Sequence, residues 1–174
     1  LTDKKQIDKS IKKIRKIFGR IDILINTSGL FLIKSIDKTT IKEFEDSFKI
    51  NVRSPFIFCK EFSKDMKKNK WGRIINISGM ASRNTGTVVG SMRNVAVTAM
   101  TKNLAAELGK HGINATVIHP GMTRTEATES VVAKRAVAEG ISEEAVEQKL
   151  AQGNLSGTII DAADIAYGVA MLAS

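Results

Sequence analysis

Three short polar turns hold the residues of this chain that are placed to act on a ligand. They read Thr27-Ser28-Gly29, Asn76-Ile77-Ser78-Gly79 and His119-Pro120-Gly121-Met122-Thr123-Arg124-Thr125. Gly29 can take backbone angles that let a ligand come close to the main chain. Ser78 offers a hydroxyl as a hydrogen-bonding partner. A further group, Asn51, puts a polar amide on or beside an apolar helical stripe, four residues before Pro55. Either its side chain is satisfied by backbone carbonyls at a proline kink, or it distorts the helix to hold a water or a catalytic group near these turns.

Each turn follows a run rich in Ile and Val. Ile21–Asn26, 73–77 and Ile113–Ile118 are too short for helices and read as buried strands. Between the last two, Met92, Val95, Ala96, Ala99, Met100, Leu104 and Leu108 recur at helical spacing from Ser91 to Leu108, and Gly109 or Gly112 stops the run. Strand, helix and strand at this spacing make a βαβ crossover with parallel strands. Their carboxyl ends then share one edge, where open α/β sheets carry function. All three turns fall there.

The remaining elements flank this unit. Asp3 can cap a helix from Lys4 to Phe18, with Gln6 at the reciprocal position, an apolar stripe of Ile7, Ile11, Ile14, Ile17 and Phe18, and Gly19 as its stop. The stretch 31–38 is a connecting loop. Thr40 and Glu43 form a second capping box opening a helix to about Lys68, with Phe44, Phe48, Val52, Phe56, Cys59, Phe62 and Met66 inward. Downstream, 127–139 and 142–152 are helices separated by Gly140, and 153–160 is a loop. Asp161 with Asp164 caps a last helix that buries Ile165, Val169 and Leu172. The expected architecture is a single α/β domain over residues 1–174 with three parallel strands, few for that length, so the sheet is expected to be incomplete.

A chain of 174 residues can bury a core without metal or disulfide, and no metal site is expected. Its one cysteine, Cys59, excludes an internal disulfide and reads as a small buried apolar residue. No apolar run approaches a membrane span and no cleavable signal pattern opens the chain, which makes a reducing cytoplasm the default. The net charge of +9 is uneven: residues 1–73 hold 19 Lys/Arg against 9 Asp/Glu. Clustered cations can bind nucleic acid. Here Lys12, Lys13, Arg15, Lys16, Lys64, Lys67, Lys68 and Lys70 fall on or near predicted helical surfaces, and only Trp71 adjoins them as a stacking platform, so solvated helix faces are the favoured reading. The same half holds all seven Phe and no alanine before Ala81, a step with no physical account.

Together these residues resemble the short-chain dehydrogenase/reductase family. The stretch 19–29 is similar to the family's strand ending in Asn-Asn-Ala-Gly, with Thr27 and Ser28 in place of the second Asn and the Ala. Asn51-Val52 resembles the helix asparagine that supports its proton relay, and 72–78 the strand leading to its catalytic serine. Leu104-Ala105-Ala106-Glu107-Leu108 is similar to its core helix. Pro120-Gly121-Met122-Thr123-Arg124-Thr125 resembles the segment that binds the nicotinamide carboxamide. The resemblance implies a Rossmann-type, doubly wound parallel sheet and hydride transfer between NAD or NADP and a small alcohol or carbonyl substrate. It implies Ser78 and Asn51 as catalytic residues and Asn26, Gly29, Pro120, Gly121, Thr123 and Thr125 as cofactor contacts. It also implies homo-oligomers formed through helices 40–68 and 91–108. By the same likeness, the glycine-rich βαβ unit should precede Leu1 and a last strand should follow Ser174.

The sequence departs from the family where its chemistry is concentrated. A tyrosine with a lysine four residues on serves there as general acid/base, and a serine fixes the substrate oxygen. Those positions are Gly90 and Asn94 here, the usual pair of serines is Ser78 and Gly79, and the one tyrosine, Tyr167, lies far away on the final helix. Ser78, Ser91 or Arg93 are candidate substitutes, against which Ser91 reads as a helix cap and Arg93 as a solvated charge. Two readings follow: an oxidoreductase with an altered acid/base group, and a dinucleotide-binding or regulatory module that has lost its chemistry.

Overall fold

Parallel backbone pairing makes strands of the short Ile-rich runs. In the structure, a computed structural model describing every residue except Ser28 and Phe31, Ile23–Asn26 (β1), Gly72–Ile77 (β2) and Ile113–Ile118 (β3) form one parallel sheet in the order β1-β2-β3. The turn expected at Ser28 and the loop expected to begin at Phe31 fall on the two positions outside the described residues. Register aligns Leu24 with Ile74 and Ile74 with Ala115, and it puts Asn26, Asn76 and Val117 side by side near the carboxyl ends.

The central strand is buried along most of its length, with Ile74 and Ile75 fully enclosed. β1 differs from expectation. It pairs on one side only, so Leu24 is buried while Ile23 and Ile25 are exposed.

The chain forms two compact units, Leu1–His119 with Ala173, which holds this sheet, and Pro120–Leu172 with Ser174. In the first, Lys4–Phe18 (α1) is capped by Asp3, whose carboxylate accepts from the Lys5 amide, and it buries Ile7 and Ile11. These meet Cys59, Phe62, Met66, Ile74, Leu108 and Ile113 in the core. Each such side chain taken out of water contributes about 1.5–3 kcal/mol. Arg15 ties α1 to the helix beneath it, donating to the Glu61 carbonyl at 2.7 Å and to the Asp65 carboxylate at 3.2 Å.

The helix expected over 40–68 opens on its capping box as read, Thr40 with Glu43, but it is not continuous. Ile41–Phe48 (α2) passes through a π-helical segment, Lys49–Arg53, into Ser54–Asn69 (α3). Pro55 explains the break: it has no amide proton for the Asn51 carbonyl, and its ring would collide with that carbonyl in a regular α-helix. The wider turn, in which the Ser54 amide bonds the Lys49 carbonyl, relieves the collision. It also divides the apolar residues into two sets. Cys59, Phe62 and Met66 enter the core, whereas Phe44, Phe48 and Val52 are half-buried and Phe56 is exposed.

Val88–Leu108 (α4) starts three residues before the expected Ser91, because Thr87 caps it by accepting from the Gly90 amide. Gly112 turns the chain from α4 into β3 at φ +72°, where a Cβ would lie 2.2 Å from the Lys70 carbonyl oxygen. Of the basic half, α1's lysines are exposed, and the Arg73 guanidinium lies 4.4 Å from the centre of the Trp71 ring, covering the face expected to be free for stacking.

In the second unit, Thr128–Glu139 (α5) and Glu143–Ala151 (α6) pack through Val132, Ala136 and Val146. The stretch expected to be loop ends in a strand: Ile160–Asp161 (β5) pairs in parallel with Thr123–Arg124 (β4). Ala162–Ala173 (α7) follows Asp161, whose side chain makes no capping bond, and Ile165, Val169 and Leu172 are half-buried instead of enclosed.

Candidate active-site rim

A chain of amides closes the carboxyl end of the first unit's sheet. Asn26 donates to the Asn76 side-chain oxygen at 2.8 Å, Asn76 donates to Thr101 Oγ1 on α4 at 2.9 Å, and Thr101 donates to the Val97 carbonyl at 2.7 Å. Asn76 is 1 % exposed, so each of these bonds is made away from water, where leaving one partner unmade would cost about 1–3 kcal/mol. Asn26 Nδ2 also lies 3.6 Å from Cys59 Sγ. Burial pushes that thiol up to about 12, so it stays protonated and unreactive at neutral pH.

Asn51 acts on the turn after β1. Its Oδ1 accepts from the Leu30 amide at 3.1 Å, and its Nδ2 donates to the Leu30 carbonyl at 3.2 Å and to the Ser47 carbonyl at 2.8 Å. The plainer of its two readings is therefore met, with one addition: the backbone it satisfies belongs to the turn as well as to its own helix. A side chain on Gly29 would collide with it, a Cβ there lying 2.8 Å from Asn51 Oδ1.

Arg93 bonds the same Leu30 carbonyl from α4. Its expected place as a solvated charge is not the one it takes: it is 7 % exposed, and burial lowers its pKa. Its apolar neighbours Met92 and Val95 masked this, because they are the residues on the outer face.

The turn after β2 is built differently. The Ser78 amide bonds the Ile118 carbonyl at 2.9 Å, and its hydroxyl donates to the Asn94 carbonyl at 3.2 Å. At Gly79 the carbonyl accepts from Ser82 Oγ at 2.9 Å and lies 3.3 Å from His119 Nδ1, which is 3.1 Å from Ser82 Oγ. The Asn94 amide faces Gly79, with Nδ2 2.7 Å from where a Cβ would stand. Gly90 is closed in similarly: a Cβ there would lie 2.7 Å from Thr87 Oγ1, the helix cap. Ser91 is not a cap, and Tyr167 is exposed on α7.

The four remaining expected cofactor contacts lie in the second unit. Asn154, which the sequence reading passed over as loop, organises them. It is buried, accepts from the Met122 amide at 2.7 Å, and donates to the carbonyls of Met122 at 2.9 Å and Thr158 at 2.7 Å. Gly121 gives it room, since a Cβ there would lie 2.1 Å from Asn154 Oδ1. Thr123 donates to the Gly121 carbonyl at 3.1 Å, and Thr125 bonds Thr128 through its amide at 2.8 Å. Pro120 precedes this clasp and is half-buried. The structure thus groups Asn26, Gly29, Asn51 and Ser78 in the first unit and Pro120, Gly121, Thr123 and Thr125 in the second.

The arrangement matches known proteins. A family model described as short chain dehydrogenase matches residues 1–136. Galactitol 2-dehydrogenase of Agrobacterium fabrum is 35 % identical over 144 residues, covering 81 % of this chain and 56 % of that protein. The 3-oxoacyl-[acyl-carrier-protein] reductase FabG of Haemophilus influenzae is 32 % identical over 188 aligned positions, covering 100 % of this chain and 68 % of that protein. Among solved structures, ElxO with NADP bound aligns at TM-score 0.85 and 27 % identity, over 99 % of this chain and 68 % of that one. The chain spans between about half and two thirds of the length of the relatives it matches.

Proposed function

The chain belongs to the short-chain dehydrogenase family, and from that membership we propose that the protein is an NAD(P)-dependent oxidoreductase acting on a small alcohol or carbonyl, with a non-standard acid/base group. The observation that carries the reading is the carboxyl rim of the first unit. There Asn26, Gly29, Asn51 and Ser78 keep the family's order and are held in place by hydrogen bonds to neighbouring main chain and side chains.

The uncharged polar groups suit the carboxamide of the nicotinamide in NAD or NADP. Asn26, Gly29, Pro120, Gly121, Thr123 and Thr125 carry no charge. Gly29 offers bare main chain, and the exposed Thr125 hydroxyl has the Thr128 hydroxyl 3.3 Å away. In the first unit Asn26 and Gly29, and in the second Pro120, Gly121, Thr123 and Thr125, are the residues we expect to contact the cofactor. Bound there, the cofactor supplies or takes up hydride. The chain's own residues shape the rim that would receive the substrate: Ser78 keeps β2 joined to α4 through the Asn94 carbonyl, and Asn51 fixes the turn after β1. We read residues 1–174 as part of one Rossmann-type domain and the protein as cytoplasmic. Among the described residues no helix is long and apolar enough to cross a membrane.

The partner we expect is a second copy of the chain. An open groove of about 650 Å³ runs between α2, the π-helical segment and α4, floored by Phe44, Phe48, Val52, Phe56, Met100 and Leu104. It lies on the two helices through which the family pairs, and its rim carries both signs of charge in Glu45, Lys49, Arg53 and Glu107.

A second reading, a dinucleotide-binding module without turnover, is favoured by Gly90, where the Thr87 cap occupies the space next to the tyrosine position. One experiment separates the two. The full-length protein is titrated with NADH and NADPH by nicotinamide fluorescence, then assayed with the reduced nucleotides on a 3-oxoacyl thioester and on small aldehydes and ketones, and with oxidised NAD or NADP on galactitol. Binding with turnover supports the oxidoreductase, binding alone supports the module, and no binding of either nucleotide overturns both.

A further inference from the structure

The Asn94 amide makes no hydrogen bond among the described residues, although its main chain is among the best anchored at the rim. Ser78 Oγ at 3.2 Å and Thr98 Oγ1 at 2.8 Å both donate to its carbonyl, so the side chain is presented from a fixed point on α4. It lies against Gly79, the second residue after the family's strand, where relatives use a serine to fix the substrate oxygen. A Cβ at Gly79 would stand 2.7 Å from Asn94 Nδ2 and 3.5 Å from Asn94 Cγ. Non-bonded heavy atoms rest at about 3.5–4.0 Å, so a side chain on residue 79 would displace the Asn94 amide from the position it holds against Gly79.

We propose that the Asn94 amide replaces the absent serine hydroxyl as the donor to the substrate's carbonyl or alcohol oxygen, and that glycine at 79 is the clearance it requires. The two departures from the family are then one change. A carboxamide N–H is a neutral donor that neither titrates nor transfers a proton near neutral pH, so it holds and polarises an oxygen while the proton comes from elsewhere. Its ligand is an uncharged aldehyde, ketone or alcohol, and binding is flat with pH as far as Asn94 is concerned. The inference rests on the oxidoreductase reading.

Two measurements on the full-length protein test it. In urea unfolding, Gly79→Ser lowers the midpoint, and adding Asn94→Ala restores most of the loss. A Gly79→Ser variant as stable as the parent, or a loss that Asn94→Ala leaves untouched, overturns the exclusion between the two side chains. For the donor role the probe is isobutyramide, a carbonyl compound that a reduced nicotinamide cannot reduce. It is titrated by calorimetry with saturating NADH or NADPH, whichever binds tighter. The expected result is about a tenfold weaker Kd in Asn94→Ala and partial recovery in the Gly79→Ser/Asn94→Ala double variant. An unchanged Kd in Asn94→Ala, or no isobutyramide binding by the parent, overturns the donor role. Failure of both nucleotides to bind marks instead the failure of the oxidoreductase reading, and the donor role falls with it.

Discussion

Two stretches of one sheet edge are built on opposite principles. Around Asn26, Asn51 and Asn76 each amide is committed to a neighbour: Asn76 to Asn26 and Thr101, Asn51 to Leu30 and Ser47. Around Gly79 and Gly90 the side chains are missing, and the nearest amide, Asn94, is uncommitted among the described residues. The contrast teaches that the buried polar residues of this edge hold the scaffold, while the second stretch leaves an amide unspent.

The largest effect that sharpens this contrast is expected from Asn76→Ala, which takes the acceptor from the half-buried Asn26 amide, removes one partner of the buried Thr101 hydroxyl and leaves a cavity at an enclosed site. It should lower unfolding stability by about 2–4 kcal/mol in urea titrations. A cost below that of Asn94→Ala would break the comparison. Asn51→Ala comes next. It frees the Leu30 amide at a half-exposed site, for about 1–2 kcal/mol, and should speed amide hydrogen exchange at residues 29 and 30 more than elsewhere.

A smaller, pH-dependent effect belongs to Glu43, which caps the helix leading to Asn51. Lys34, then the Thr40 amide and hydroxyl, hold its carboxyl down to about 2, against an ordinary 4.5. A value depressed by folding means the stabilisation is complete above about pH 4.5 and fades as pH falls toward 2. The gap in urea midpoint between the parent and Glu43→Gln should narrow over that window, and a constant gap would remove the capping carboxylate from the account. Smallest is Asn94→Ala, expected to move unfolding stability by no more than about 0.5 kcal/mol, as for a side chain with no partner to lose.

Much of this was legible in sequence. The Ile-rich runs gave β2 and β3 nearly to the residue, because short runs rich in β-branched residues favour strand over helix. Thr40 and Glu43 gave the start of α2, since a capping box is a local hydrogen-bond pattern. What escaped depends on contacts distant in sequence. Pro55 signalled a kink, but the π-helical form it takes depends on how the turn of the helix accommodates the ring. Arg93 reads as solvent-facing until its partner, the Leu30 carbonyl 63 residues away, is known. β4 and β5 are two residues long, too short to show alternation, and Asn154 sits in a Gly- and Ser-containing stretch that looks like any turn. A buried asparagine bonding three backbone groups was the missing signal, and sequence spacing alone does not reveal burial.

Cys59, enclosed at 1 % exposure beneath the Asn26 amide, gives the molecule an internal stopwatch. As the chain's one thiol, protonated and sealed in the main core, it can meet an aromatic disulfide reagent only after that core opens. The colour released on labelling therefore counts opening events one sulfur at a time. It does so with no engineered probe and without disturbing the rim.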